Sequence, residues 1–180
     1  MLNPIYNTCK KPKAVIFDID GVICDSSERF KRIDMDAWNK RNKKAFVKSI
    51  RHYNSDCVGD VPIDTGISLL NHYASDHKVF FITARGSEGY APTLNWLKDN
   101  FPRFDENESV LIMNPEDTNK FQFTTQFDHA EYKKREAQKI IEDYDVVFAI
   151  DDSDLNCRAY QSINIPTLLF SIPQLGRVLV

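Results

Sequence analysis

An α/β fold, with a parallel sheet covered by helices on both faces, is what this sequence predicts. Three observations carry it. Five short apolar runs rich in β-branched and aromatic residues recur at 13–19, 78–83, 109–113, 146–150 and 166–170, and each has the length and composition of a strand. Helical patterns separate them, and such alternation argues for parallel strands joined by crossover helices. Asp18 and Asp20, Thr83 and Arg85, and Asp151 and Asp152 end three of the runs. In open sheets of this kind, ligands collect at the carboxyl ends of the strands.

Residues 1–12, with two prolines, read as a lead-in to a single domain over 13–180. In the first run, Val15, Ile16 and Phe17 have the unbroken apolar character of a strand buried on both faces. Gly21 then permits a sharp turn. Residues 24–60 read as a small insert of one or two helices around Trp38 and Phe46. Ile67, Leu69, Leu70 and Tyr73 mark a helix before the second strand, and Tyr90, Leu94 and Leu97 one after it. The connection from Asn114 to Phe127 is long, and long connections are often functional. Its Phe121, Phe123 and Phe127 either pack a satellite core or stack on bases. Asp128-His129-Ala130-Glu131 resembles a capping box, opening a helix with apolar positions at Ala137, Ile140, Ile141 and Tyr144. That helix should run opposite to the strands, so its first turns lie at their carboxyl ends and bring Lys133 or Lys134 there. Leu155, Ala159 and Ile163 mark the last helix.

The bulk composition excludes several classes. A chain of 180 residues with 42% hydrophobic and 27% charged residues is ordinary for a globular domain. No apolar stretch approaches the roughly 18 residues of a membrane span, and the N-terminus lacks the basic start and apolar middle of a secretory signal. Cys9, Cys24, Cys57 and Cys157 form no Cys-x-x-Cys pair, so they read as reduced thiols with neither zinc nor disulfides. The expected location is the cytoplasm. The net charge of −3 conceals an asymmetry: from Arg29 to Arg51, nine basic residues face two acids, a net of +7, and the remainder carries −10. A basic segment directly after the paired acids suggests a polyanionic substrate; the alternative is a solvated, Lys-rich helix face. His52, His72, His77 and His129 show no spacing for metal ligation or a triad, and read as structural or exposed.

Asp18 and Asp20, fixed at the end of a buried strand, repel each other unless a cation lies between them. Asp-x-Asp alone is a weak signal, and paired acids at strand ends also serve as helix caps, as Ser153 or Asp154 could for the last helix. Three such signals converging on one sheet edge are a strong one.

Those residues resemble the four motifs of the haloacid dehalogenase (HAD) superfamily, mostly Mg²⁺-dependent phosphatases. Phe17-Asp18-Ile19-Asp20-Gly21-Val22 is similar to the first, with Val22 where threonine is commoner. Ile82-Thr83-Ala84-Arg85 resembles the second, a lysine at 133 or 134 the third, and Ala149-Ile150-Asp151-Asp152 the fourth. Within the superfamily the likeness runs to the 3′-phosphatase domain of phage-type polynucleotide kinase and its stand-alone relatives: Arg29 stands nine positions after Asp20, Arg85 fits their Ser/Thr-x-Arg signature, and Tyr144-Asp145-Val146-Val147 precedes the paired acids. No Gly-x₄-Gly-Lys-Ser/Thr loop accompanies them, so a kinase half is absent from this sequence.

The resemblance implies a three-layer, Rossmann-like sheet with a small helical insert and no large cap, leaving the site open to a large substrate. It implies Asp18 as the nucleophile that forms an aspartyl-phosphate and Asp20 as general acid, then base. It implies Mg²⁺ held by Asp18, the backbone carbonyl of Asp20 and one of Asp151 and Asp152. Thr83 would donate to a phosphoryl oxygen, Lys133 (or Lys134) would stabilise the developing charge, and Arg29 and Arg85 would hold the phosphate. The function implied is removal of phosphate from nucleic-acid ends, 3′-phosphates foremost. The competing functions are a nucleotidase acting on free (deoxy)nucleoside monophosphates and a non-catalytic nucleic-acid-binding module. The partner is a phosphorylated nucleic-acid end or a nucleotide, with no membrane and no protein partner implied.

Overall fold

The structure, a computed structural model, describes residues 10–115 and 126–171. Strands β1 (Lys13–Phe17), β4 (Lys78–Gly86), β5 (Ser109–Asn114), β6 (Asp145–Asp151) and β7 (Thr167–Leu169) pair in parallel in the order β5-β4-β1-β6-β7. These are the five predicted strands, with ends shifted by at most three residues. β1 is central. The chain builds outward to β4 and β5, then crosses back to β6 on the other side of β1, and a reversal of this kind opens a crevice at the carboxyl ends of the strands.

The alternation of β1 side chains divides the interior in two. Val15 and Phe17 face one core with Val79, Phe81, Phe148 and Ile150, closed by Leu70 of α4 (Asp64–Tyr73) and by Trp96 and Leu97 of α5 (Tyr90–Asn100). Ala14 and Ile16 face the other with Phe80 and Ile82, closed by Tyr132, Ala137 and Ile140 of α6 (Gln126–Asp143) and Tyr160 of α7 (Asp154–Gln161). Each large apolar side chain so buried contributes about 1.5–3 kcal/mol. The two cores hold the central strands rigid, which matters because the site hangs from their ends. This three-layer α/β arrangement is the predicted one.

After β1 the chain turns at Gly21, whose φ of 83° suits a residue without Cβ. α4 presses against that turn so closely that a Cβ on Gly66 would lie 1.9 Å from the carbonyl oxygen of Val22. The insert leaves through β2 (Cys24–Asp25) and returns through β3 (Val61–Pro62), which pair antiparallel. Between them stand three helices rather than one or two: α1 (Ser27–Phe30), α2 (Met35–Asn39) and α3 (Lys43–Asn54). Their own small core joins Ala37 and Phe46 with Ile33, Trp38, Val47 and Ile50. Asp34 and Asn42 accept hydrogen bonds from the backbone NH of Ala37 and Ala45, capping α2 and α3.

α6 begins at Gln126, so Asp128 lies in its first turn and not at the cap expected of it. An acid there still favours the helix dipole. The readings of Phe121 and Phe123 fall outside the described residues, as does that of the Phe127 side chain. Among the described residues, no helix is long and apolar enough to cross a membrane, and Cys24, Cys57 and Cys157 are free thiols.

Candidate active site

Three neighbouring strands deliver the predicted residues to one edge. Asp18 follows β1 directly, and its backbone NH donates to the carbonyl of Ile150 at 2.9 Å, holding it against the end of β6. Asp151 is the last residue of β6, with Asp152 next to it. Carboxylate oxygens of Asp18, Asp151 and Asp152 lie within 4.8 Å of one another. Lys133, on α6, is 1% exposed, and its Nζ lies 2.9 Å from Asp18 Oδ2 and 2.7 Å from Asp151 Oδ2. Lys134 instead stands half-buried beside Glu131 at 3.8 Å. Of the two lysines, Lys133 is the one at the cluster.

Asp151 is held on every side. Oδ1 accepts from the backbone NH of Ser153 at 2.9 Å and from Asn156 Nδ2 at 2.8 Å, while Oδ2 accepts from Lys133. Ser153 also caps α7 through Asn156 N at 3.4 Å. The Asp18 side chain is fixed by Ile19 N on Oδ1 at 2.8 Å. Burial pushes the Asp18 carboxyl well up, Lys133 opposes the rise, and the other acids add to it. Burial likewise works against the Lys133 ammonium, but Asp151 and Asp18 outweigh it and keep the amine protonated. Three carboxylates against one ammonium leave this cluster at −2, which one divalent cation would neutralise. The all-oxygen donor set suits a hard cation such as Mg²⁺.

Asp20 stands apart from that cluster. Arg85 grips it with two parallel hydrogen bonds, Nε to Oδ2 and Nη2 to Oδ1, both 2.8 Å. The Asp20 carboxylate is thus engaged by a guanidinium, outside the cluster of Asp18, Asp151 and Asp152. Burial raises its carboxyl, yet the charge and hydrogen bonds of Arg85, with help from Arg29, hold it far below the usual carboxylate range. A depressed pKa of this sign adds stability above the ordinary carboxylate range and loses it only as pH falls below that range.

The two arginines expected to hold the phosphate are engaged here with carboxylates. Arg29, 1% exposed, grips Asp60 through Nε at 2.6 Å and Nη2 at 2.8 Å. Arg85 Nη2 shares Asp60 Oδ2 at 3.0 Å, and Arg29 Nη2 comes within 3.7 Å of Asp20. Two guanidiniums and two carboxylates thus cancel in a fork-to-fork network. Arg29 also donates to the carbonyl of Tyr53 at 2.9 Å and lies 4.0 Å above its ring. Asp60 and Tyr53 were not singled out in the sequence. Asp60 is isolated there, and the only clue to it is that two buried arginines require carboxylates.

Thr83, 1% exposed and three residues before the end of β4, accepts a hydrogen bond from the NH of Arg85 at 3.1 Å. His129, read as structural or exposed, is half-buried one turn before Lys133. Burial and the Lys133 charge lower its pKa, which favours the neutral ring.

Comparison with known proteins agrees with this architecture. The model of the family described as HAD superfamily, subfamily IIIB (acid phosphatase), matches residues 2–171. No curated protein matches the chain. Among solved structures, a chain of the Pnkp1/Rnl/Hen1 RNA repair complex superposes with a TM-score of 0.62 and 21% identity, over 88% of this chain and 42% of that one. The class C acid phosphatase of Bacillus anthracis, with tungstate bound, gives 0.53 and 14%, over 92% and 69%. A haloacid dehalogenase-like hydrolase of Streptococcus pneumoniae gives 0.53 and 13%, over 87% and 83%. This chain spans less than half the length of the first of these, and at such identities the likeness is one of fold. With the family model covering nearly the whole chain and its fold shared by these structures, the chain belongs to the HAD superfamily, subfamily IIIB, and is a phosphoric monoester hydrolase.

Proposed function

We propose that hydrolysis proceeds through an aspartyl-phosphate on Asp18, depends on Mg²⁺, and removes phosphate from nucleic-acid ends, 3′-phosphates foremost. The observation that carries the catalytic part is Lys133, buried between Asp18 and Asp151 beside a cluster still short of two positive charges. The substrate class draws on the basic insert beside the site and on the fold shared with a chain of an RNA repair complex.

In the first step an Asp18 oxygen attacks phosphorus, the bond from phosphorus to the leaving oxygen breaks, and that oxygen takes a proton from Asp20. In the second, water attacks the same phosphorus, gives its proton to Asp20, and phosphate departs as the Asp18 carboxylate is restored. Lys133 offsets charge on the nucleophile and the phosphoryl oxygens throughout. Thr83, its oxygen fixed by the NH of Arg85, directs its own hydrogen toward the phosphoryl group. Arg85 holds Asp20 ionised, the form required for the second step, and must yield it for the first. Asp18, the carbonyl of Asp20 and one of Asp151 and Asp152 would hold Mg²⁺. The ion, when bound, neutralises the anion that another anion must attack.

A phosphate-release panel tests the reading: 3′- and 5′-phosphorylated oligonucleotides, mononucleotides, sugar phosphates and an aryl phosphate. Preference for 3′-phosphorylated nucleic acid is the expected result, and preference for free 5′-nucleotides would transfer the assignment to a nucleotidase. Turnover should need Mg²⁺ or Mn²⁺ and cease in EDTA. Ca²⁺ should serve poorly, because it prefers more ligands at longer distance. Asp151→Asn and Asp152→Asn, made singly, should show which of the two holds the ion, because that variant should need more Mg²⁺ for half-maximal rate; full activity in chelator overturns the mechanism.

Arg85→Lys keeps the charge but loses the fork. If Arg85 acts by holding Asp20, kcat should fall about 10²-fold, at the lower end of what acid–base catalysis supplies, with KM changed little. A raised KM with kcat retained would return Arg85 to the phosphate.

A further inference from the structure

Every N–H of the Arg85 guanidinium has a partner, and a guanidinium has five. Nε and Nη2 donate to Asp20, and Nη2 donates again to Asp60 Oδ2 at 3.0 Å. Nη1 donates to Thr93 Oγ1 at 3.1 Å and to Cys57 Sγ at 3.4 Å. Among these partners Asp60 is the one charge besides Asp20, and the hydrolytic steps leave it unused.

The Asp60 side chain is 0% exposed, and a carboxylate at that depth needs partners. It has them on both oxygens. Oδ1 accepts from Arg29 Nε at 2.6 Å, and Oδ2 accepts from Arg29 Nη2 at 2.8 Å as well as from Arg85. The backbone fixes the residue too. Gly59 precedes it with a φ of 91°, a turn suited to a residue without Cβ. The Asp60 NH donates to the carbonyl of Cys57 at 3.1 Å, and β3 begins at the next residue. Asp60 therefore stands where the insert returns to the domain. Arg29 belongs to α1, where the insert leaves, and Arg85 to β4 of the main sheet. One carboxylate joins all three.

Stability alone gives little reason for such a network, since apolar residues often replace buried ion pairs without loss. Geometry gives a better one. A guanidinium paired with a single carboxylate can swing with it as one body. Arg85 is held at Nη2 by Asp60 and at Nη1 by Thr93, so its plane is fixed, and with it the two hydrogens that it presents to Asp20. Of the four charged side chains in the network, Asp20 alone reaches solvent, at 22% exposed against 0% or 1% for the others.

We propose that Asp60 is a positioning residue: through Arg85 it sets the place from which Asp20 delivers a proton to the leaving oxygen. The proposal rests on the reading of Asp20 as the acid of the first step, and adds the residue that aims it.

The test compares kcat/KM for two kinds of ester, because that ratio reads the steps up to departure of the leaving group. One is the best-used alkyl monoester among the oligonucleotides, mononucleotides and sugar phosphates, whose alcohol oxygen needs a proton as it leaves. The other is p-nitrophenyl phosphate, whose phenolate leaves unaided. Asp60→Asn turns an amide N–H toward the guanidiniums. It should lower kcat/KM at least about ten-fold for the alkyl ester, part of the 10²–10⁴ that acid–base catalysis supplies, and less than about three-fold for the nitrophenyl ester. In an Asp20→Asn background the same change should lower the alkyl rate little further, since residues that act as one unit are not additive. Asp60→Glu keeps the charge that two buried guanidiniums need but moves it by a methylene. It should fold and show the same split, in lesser degree. Losses that are equal on both esters or absent from both, losses that multiply in the double variant, or full activity in Asp60→Glu overturn the positioning role and spare Asp20 as the acid. An Asp20→Asn variant with no split between the esters overturns both.

Discussion

Asp18→Asn should reduce phosphate release by about 10⁴-fold or more, the scale seen when a covalent nucleophile is removed, while the protein stays folded. The amide keeps the shape of the carboxylate, and its oxygen can still accept from the NH of Ile19, which donates at 2.8 Å. Lys133 keeps its 2.7 Å partner Asp151. What disappears is the negative charge that attacks phosphorus. Asp151 is tied down by Lys133, Ser153 and Asn156, and Asp20 by Arg85. The metal-free variant should melt no lower than the wild type. Asp18 is buried among like charges that raise its pKa, so replacing it with a neutral group relieves repulsion. Phosphate release and thermal melting, measured on the same preparation, check both halves. Near-normal turnover would remove Asp18 from the centre of the mechanism.

The edge on which that nucleophile sits was legible in the sequence because its parts are local. Val15 to Phe17 and Val146 to Ile150 are unbroken apolar runs, and such runs place whatever follows them at a sheet edge. The choice between Lys133 and Lys134 was not legible, because Ile140 and Ile141 let either lysine share a face with Ala137; only the fold, which buries Ala130, Lys133, Ala137 and Ile140 together, fixes the phase. Residues whose partners lie far away in the chain were not legible. Arg29 and Asp60 meet across 31 positions, and Arg85 and Asp20 across 65. Nothing in the sequence near Arg85 distinguishes a guanidinium that grips a carboxylate from one that awaits a phosphate. β2 and β3, two residues each, are too short to show a period. Asp128 matched a cap by composition, but α6 starts two residues earlier, a shift within the ordinary uncertainty of helix ends.

Lys133→Met should be the most damaging single substitution, because it removes the one cation of the cluster and leaves its acids buried. Methionine approximates the length and bulk of the side chain, so little cavity forms; the loss is one of charge. In the wild type the ammonium lies within hydrogen-bonding distance of both Asp18 and Asp151 at 1% exposure. Removing one partner from a buried ion pair costs about 3–5 kcal/mol, since the remaining charge is neither hydrated nor paired. Here two carboxylates are stranded, so stability without metal should drop by at least the lower figure, read by urea titration. Turnover should fall by several orders of magnitude, because stabilisation of developing charge in a dry site is usually the largest catalytic contribution. A cation that binds only the folded state stabilises it by mass action. Adding Mg²⁺ should therefore recover part of the lost stability, and raise the melting temperature more in Lys133→Met than in the wild type. It should not recover turnover, because Lys133 acts on the phosphoryl oxygens as well as on the acids. Lys134→Met, half-buried and 3.8 Å from Glu131, should change stability by less than about 1 kcal/mol, as exposed pairs do, and leave turnover nearly intact. The two lysines exchanging these outcomes, or Lys133→Met melting normally without metal, would mean that the acids at this edge are not held together by Lys133.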